Sequence, residues 1–179
     1  MGLRRFDGYD VLVFEGGQGL LLDQGNQEYF PHLTPSNTGL KNPARLLKEW
    51  SARALSGGAY AAEVCYVTRP YLTRHGAGRL DLECNKEEIN AEMMDLTNVP
   101  NPYQGTLRYG KMDVARLKER IFCDFGGLKG WKCSLAITHR NETEALFAAE
   151  NLGDEREFFS LFDGIYVSYR EGEGSVQRR

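Results

Sequence analysis

The chain has 179 residues and a formal net charge of −3 at pH 7. This length predicts a single domain over 1–179 with a real core, with residues 172–179 as a frayed tail. The mild negative charge excludes the strongly basic footprint of a nucleic-acid-binding protein, so no nucleic-acid partner is expected. No apolar stretch approaches the length of a membrane span, so no membrane partner is expected either.

Cysteine usage and the first residues indicate a cytoplasmic location. The start of the sequence has two adjacent arginines but no apolar signal core, so no secretion signal is predicted. The four cysteines have wide, irregular gaps without a Cys-x-x-Cys pair, and with the three histidines they show no metal-ligand spacing. We therefore expect reduced thiols in a cytoplasmic protein, and no metal site in this chain.

Alternating strand and helix patterns predict the fold class. The apolar run at 10–15 is typical of a buried strand, and it ends in a glycine-flanked turn around Gln18. Further strands are predicted at 61–68, 132–138 and 164–169. Helices are predicted at 42–58, 85–96, 113–125, 142–152 and 155–162, and the apolar stripe of the second of these is expected to join the core. This order predicts an α/β domain with a mostly parallel sheet flanked by helices.

Two loops in the first part of the chain combine groups that bind ligands. The glycines around Gln18 let the backbone adopt crowded geometry, and α/β folds bind ligands at the carboxyl edge of their sheet. A tight loop with a surface glutamine is the alternative. The following segment, 29–39, is dense in hydroxyls and contains two prolines. Such a loop can offer hydroxyls and N–H groups to a phosphate, and its composition is equally typical of a solvated turn.

Two later segments carry cations beside glycines or prolines. In the turn at 71–78, glycines permit close backbone approach, and Arg74 suits a phosphate or carboxylate; a surface turn with a solvated arginine is the alternative. The loop at 97–113 carries Arg108 and Lys111, which suit an anionic substrate. These segments, which precede and follow the second predicted helix, predict an anion-binding role.

The motifs, taken in order, resemble a known family. Residues 14–23 (Phe-Glu-Gly-Gly-Gln-Gly-Leu-Leu-Leu-Asp) and 29–38 (Tyr-Phe-Pro-His-Leu-Thr-Pro-Ser-Asn-Thr) resemble the middle of adenylosuccinate synthetase, which joins IMP to aspartate using GTP. The turn at 71–78 resembles the family's Tyr-Thr-Thr-Arg-x-Gly-x-Gly. Residues 110–113 (Gly-Lys-Met-Asp) resemble the end of its aspartate-binding loop, and 135–141 (Leu-Ala-Ile-Thr-His-Arg-Asn) resemble its guanine-reading Leu-Thr-Lys-x-Asp.

The resemblance implies two sets of binding residues. It implies that Gln18 orients the purine 6-oxo group, that Thr34 holds the 5′-phosphate, and that His75 meets the ribose through its backbone. The substrate-binding set that it implies is Gln18, Thr34, Asn37, Thr38, Arg74, His75, Gly76 and Arg108. The nucleotide-binding set that it implies is Thr138, His139, Asn141 and Ser168. His139 and Asn141 stand where the family has Lys and Asp, so weaker selectivity for guanine is expected.

The resemblance also implies an incomplete enzyme. It covers the carboxyl-terminal part of the family pattern, from about residue 10 to residue 170. The family's phosphate loop (Gly-Asp-Glu-Gly-Lys-Gly-Lys), catalytic Asp, magnesium site and phosphate-protonating His have no counterpart here. The expected protein is a truncated, P-loop-ligase-like member of purine biosynthesis that has no catalytic residues of its own and is inactive alone.

Cofactors and partners follow from the same resemblance. The family implies Mg²⁺ and GTP, or ATP as in its divergent branch that acts on deoxyguanylate, and no cofactor is expected to bind this chain alone. The expected partners are a purine monophosphate and either an amino-terminal half or a second copy of the chain. A non-catalytic nucleotide-binding or interaction module is the alternative function.

Overall fold

Two compact units divide the chain. The computed structural model describes residues 9–53, 60–93, 98, 100, 102, 103, 105–143, 155–170, 172 and 174–179. The first unit comprises Met1–Ala61 with Asp124–Gly127, and the second comprises Ala62–Cys123 with Leu128–Arg179.

The first unit is built around helix α1, Lys41–Arg53, and two single 3-10 turns, Leu20–Leu22 and Gln27–Tyr29. The backbone N–H of Leu40, just before α1, donates to both carboxylate oxygens of Asp124, at 3.1 Å each. Helix α1 begins at Lys41, one residue before the predicted start at 42, so the predicted helix is confirmed there. The predicted end, at 57–58, lies outside the described residues.

Residues 10–15 do not form a strand, so that prediction is wrong. Val11 and Val13 are 75% and 86% exposed, although their apolar character favours a buried strand. A strand needs a neighbouring strand to accept its backbone hydrogen bonds and a layer to cover its side chains, and local sequence preference supplies neither.

The elements after α1 alternate between strands and helices. In chain order they are β1 (Glu63–Thr68), β2 (Tyr71–Arg74), β3 (Glu83–Cys84), α2 (Lys86–Ile89), β4 (Arg108–Lys111), α3 (Val114–Phe125), β5 (Lys132–Ile137), α4 (Glu155–Phe159), β6 (Gly164–Ser168) and β7 (Val176–Arg178). One sheet has the order β1-β5-β6-β7, with β1, β5 and β6 parallel and β7 antiparallel. A smaller antiparallel sheet has the order β2-β4-β3. The fold is therefore α/β, with a mixed, mostly parallel sheet flanked by helices, as predicted.

The central strand β5 carries the core of the larger sheet. Leu135 and Ile137 are 0% and 1% exposed, and Leu135 is paired with Tyr66 of β1 and Ile165 of β6. A strand buried on both faces is expected at the centre of a parallel sheet. The ring of Phe162 lies 6.0 Å from that of Phe122 on α3 and 5.2 Å from that of Phe158 on α4.

The smaller sheet has its own apolar cluster and a short helix. Tyr71, Met93, Leu107 and Tyr109 are buried together, and Ile89 packs against them, so the predicted core role of the stripe is confirmed for Ile89 and Met93. Leu96 lies outside the described residues. The predicted length of the helix, 85–96, is wrong, because α2 ends at Ile89.

The early end of α2 has a local cause. Asn90 takes an extended conformation, with φ −160° and ψ 118°, and its side-chain amide donates to the backbone carbonyl of Glu142. Its side chain thus makes a tertiary contact while its backbone leaves the helix. A capping box of Asn85 and Glu88 fixes the opposite end, so α2 is bounded on both sides.

The remaining helices and strands lie close to their predicted positions. Asp113 accepts a hydrogen bond from the N–H of Arg116 at 3.0 Å and caps α3, as predicted. The predicted helix at 142–152 lies largely outside the described residues, and α4 ends at Phe159 rather than 162. No helix within the described part of the chain is both long and apolar enough to cross a membrane.

The end of the chain forms a strand, so the predicted frayed tail is wrong. Val176 pairs with Ser168, and Arg178 pairs with Tyr166, in the antiparallel ladder of β7 on β6. The N–H of Arg179 donates to the carbonyl of Ile165 at 2.9 Å. The cause is the open edge of β6, whose backbone groups bind a polar segment regardless of its side chains.

Candidate functional site

Two loops of the first unit are tied together by hydrogen bonds. The N–H of Thr34 donates to the carbonyl of Leu22 at 2.9 Å, and the hydroxyl of Thr38 donates to the carbonyl of Gly19 at 3.1 Å. Gln18, the residue before Gly19, has an exposed side chain, and the side chain of Thr34 is half-buried. The turn around Gln18 and the loop around Thr34 therefore lie side by side.

The carboxylate of Asp23 holds this pair of loops in place. The sequence patterns above did not identify this residue. It accepts hydrogen bonds from the N–H groups of Thr38 and Gly25, at 2.7 and 2.8 Å, and from the amide of Asn37 at 3.3 Å. Partial burial raises the pKa of Asp23, but these hydrogen bonds outweigh it and the pKa lies below its ordinary value. The signal was present, because Asp followed two residues later by Gly is typical of an Asx turn.

These contacts divide the four predicted residues of the first unit into two kinds. Asn37 and Thr38 use their side chains inside the loop pair, since Asn37 also accepts a hydrogen bond from Gln24 at 3.2 Å. The side chain of Gln18 is exposed on the same pair, and that of Thr34 is half-buried. A fixed backbone with an exposed amide beside a hydroxyl-rich loop is suited to hydrogen bonding of a small ligand.

In the second unit, Arg108 is the centre of a clamp. Its Nε and Nη2 donate to the two carboxylate oxygens of Glu83, the first at 2.7 Å, and Nη1 donates to the carbonyls of Gly76 and Gly78 at 3.1 and 2.7 Å. Hydrogen bonding to Arg108 lowers the pKa of Glu83, and the same bond raises that of Arg108. The Arg108 guanidinium thus binds the glycine turn and is paired with the Glu83 carboxylate. All of its nitrogens are therefore already hydrogen-bonded within the protein.

The other predicted residues of this segment, Arg74, His75 and Gly76, lie in the glycine turn itself. Gly76 has a left-handed φ of +73°, which suits glycine. The Nε of Arg74 donates to the carbonyl of Ala77 at 3.1 Å, and Nε2 of the exposed His75 lies 2.9 Å from Oδ1 of Asn98. A cavity of about 500 Å³ lies beside the clamp, and it is lined by residues that include Glu83, Lys86, Asn98 and Arg108.

Three strand ends bring the last predicted group together. The N–H of Thr138 donates to the carbonyl of Thr68, at the end of β1, at 2.9 Å, and the N–H of Arg140 donates to the carbonyl of Ser168, at the end of β6, at 3.1 Å. Between them His139 adopts a left-handed φ of +58°, and its Nδ1 lies 2.8 Å from the hydroxyl of Thr138. Thr138, His139 and Ser168 thus lie at the carboxyl edge of the parallel strands, where α/β folds bind ligands.

Asn141 and the hydroxyl of Ser168 complete this edge. Asn141 is exposed in the turn that the hydrogen bond from the N–H of Glu142 to the carbonyl of His139 closes, at 3.1 Å. The hydroxyl of Ser168 donates to the carbonyl of Arg170 at 3.0 Å and lies 3.2 Å from that of Ser175. The edge offers amide, hydroxyl and imidazole groups, which are suited to the polar rim of a base.

A cluster of metal ligands is absent from the described residues. Within them, no three His, Cys, Asp or Glu side chains come close enough to hold a metal ion. The whole sequence contains no Gly-x-x-x-x-Gly-Lys-Ser/Thr loop, whose N–H groups cradle phosphates. The polar groups at the sheet edge are of the kinds that hydrogen-bond to a base or sugar.

Comparison with known proteins adds no family. No protein-family model matches the chain, and no curated protein sequence matches it.

Proposed function

We propose that this chain is the purine-binding part of an adenylosuccinate-synthetase-like ligase of purine nucleotide biosynthesis. The observation that carries the proposal is the loop pair of the first unit, in which the glycine-flanked turn around Gln18 is joined to a hydroxyl-rich segment by the hydrogen bonds from Thr38 to Gly19 and from Thr34 to Leu22. The order of these two motifs, followed by the Arg74–Gly78 turn, is the order that the resemblance to that family requires.

The loop pair binds a purine monophosphate. Gln18 donates and accepts through one amide, so it orients the 6-oxo group of the base. Thr34 donates its hydroxyl to the 5′-phosphate, in a loop whose backbone Asp23 holds fixed. Fixing the loop before binding reduces the conformational entropy that binding would otherwise lose.

The sheet edge of the second unit binds the base of a second nucleotide, the phosphate donor. Thr138, His139, Asn141 and Ser168 offer both donors and acceptors there. Asn141 is an amide where guanine recognition in the family uses a carboxylate, and an amide also suits adenine. We therefore propose either GTP or ATP as the donor.

The phosphoryl-transfer step needs a base, Mg²⁺ and a cradle for the triphosphate, since it depends on positioning and charge stabilisation. We propose that residues outside this sequence supply all three, in the cytoplasm, and that this chain positions the purine. The alternative is a nucleotide-binding module without ligase chemistry.

Titration calorimetry with IMP, GMP and their deoxy forms tests the monophosphate site. We expect one of these ligands to bind, and Gln18→Ala to weaken it roughly threefold to tenfold, the loss for one neutral hydrogen bond. His75→Ala is the matched control and should stay near wild type, because the imidazole bonds to Asn98 within the protein. If His75→Ala abolishes binding while Gln18→Ala leaves it intact, the assignment of Gln18 is wrong.

An assay with IMP, aspartate, GTP and Mg²⁺ tests the division of chemistry. The purified chain alone should form no adenylosuccinate, because it carries no phosphate loop or catalytic base. Turnover that copurifies with the chain through several independent columns would contradict this. If the chain binds a purine monophosphate but forms no adenylosuccinate even after the other proteins of a cell extract are added, the non-catalytic alternative is favoured.

A further inference from the structure

Glu142 ties the turn at the sheet edge to the smaller sheet. The hydroxyl of Tyr71, the first residue of β2, donates to the Glu142 carboxylate, and the side-chain amide of Asn90 donates to the Glu142 carbonyl. The N–H of Glu142 in turn donates to the carbonyl of His139 at 3.1 Å. Side chain, carbonyl and N–H of one residue are thus all engaged.

Tyr71 is a rigid anchor for this contact. It is 4% exposed, within the cluster formed with Met93, Leu107 and Tyr109, and its ring lies 6.1 Å from that of Tyr109. A buried hydroxyl requires a hydrogen-bond partner, and the Glu142 carboxylate is that partner. Burial, together with the hydrogen bond to Glu142, raises the pKa of Tyr71, so the hydroxyl remains a donor throughout the physiological range.

The turn that Glu142 closes contains an unfavourable backbone conformation. His139 is not glycine, yet its φ is +58°, in the left-handed region where a Cβ meets the carbonyl oxygen. Such a conformation persists where the surrounding contacts hold it. The ring of Tyr71 also meets that of His139 edge-on, with centroids 6.5 Å apart. Tyr71 therefore contacts both the strained residue and the residue that closes its turn.

We infer that Tyr71, acting through Glu142, is a positioning residue for the turn at 138–142. The inference rests on the proposed function, which assigns the polar groups of this turn to a nucleotide base. Holding the turn in one conformation places Thr138, His139 and Asn141 before the ligand arrives. Loss of the hydroxyl frees the turn and weakens nucleotide binding without removing any group that touches the ligand.

Two measurements on Tyr71→Phe test the role. Backbone hydrogen exchange at Thr138, Arg140 and Glu142 reports the turn without any ligand, and we expect it to accelerate at least threefold. Titration with guanosine and with adenosine, which carry the base and sugar without the triphosphate, reports binding at the sheet edge, and we expect a loss of roughly threefold to tenfold for whichever binds the wild type. Tyr166→Phe, which removes a hydroxyl from β6 in the same unit, is the matched control and should change neither.

Variants of Glu142 separate positioning from general stability. Glu142→Gln keeps an oxygen that accepts the Tyr71 hydroxyl, so it should recover most of the affinity that Glu142→Ala loses. Unchanged exchange at the turn in Tyr71→Phe overturns the inference whatever the ligand result. If exchange accelerates but the wild type binds neither guanosine nor adenosine, the proposed nucleotide site is wrong, and the positioning role fails with it.

Discussion

Gly110→Ala is expected to lower the free energy of unfolding by roughly 3 kcal/mol, the upper part of the range for overpacking. Gly110 lies in β4, the middle strand of the smaller sheet, and pairs with Leu72 on one side and Glu83 on the other. A Cβ at this position would lie 2.6 Å from the backbone carbonyl oxygen of Asp81. Backbone cannot move aside as a flexible side chain does, so β4 and the segment around Asp81 must move apart.

Urea denaturation monitored by circular dichroism measures this effect. Gly127→Ala is the control, because a Cβ there meets nothing within 4 Å, and it should shift the midpoint little. An unchanged midpoint for Gly110→Ala would mean that β4 and the Asp81 segment do not approach as closely as described.

Asp81→Ala is expected to destabilise the second unit by a similar amount. The Asp81 side chain is 8% exposed and is surrounded by Arg79 at 2.7 Å, Arg116 at 2.7 Å and Arg120 at 3.7 Å. Removing the acid leaves guanidinium groups facing one another without their shared carboxylate. Breaking a buried ion pair from one side costs several kcal/mol, and the partial exposure of the arginines reduces this to roughly 3 kcal/mol.

The same denaturation experiment distinguishes this network from ordinary surface charge. Glu157→Ala removes an exposed acid from the same unit and should stay within about 0.5 kcal/mol of wild type. Because the network is ionic, Asp81→Asn should also destabilise the protein, since it keeps the shape of the side chain and removes the charge. Full stability of Asp81→Asn would show that packing and hydrogen bonding, and not charge, hold this segment.

The parts of the fold that could be predicted are those where local pattern and burial agree. The runs that became β1, β5 and β6 are rich in β-branched and other apolar residues, and Asp113 carries the capping signal of α3. The errors fall where a distant partner decides. The run at 10–15 lacks a pairing strand in the described structure, Asn90 leaves its helix to meet Glu142, and β7 forms because β6 has an open edge.

The candidate site was predictable only as a list of positions. Gln18 and Thr34 could be placed in adjacent loops because their motifs are rich in turn residues. The roles of Asn37, Thr38 and Arg108 were not predictable, because a side chain that suits a ligand also suits a nearby backbone carbonyl or carboxylate. Asp23 and Glu142, which hold the two groups of loops, gave weaker signals than the residues they support.

The pairing of Arg108 with Glu83 has a consequence for the approach of an anionic ligand. A cation and a carboxylate in hydrogen-bond contact have no net charge as a pair. Salt screens their remaining dipole field within the Debye length, about 8 Å in physiological salt. Arg108 therefore adds no long-range attraction that would speed the encounter with a phosphate. Its contribution to the rate of association should be insensitive to ionic strength.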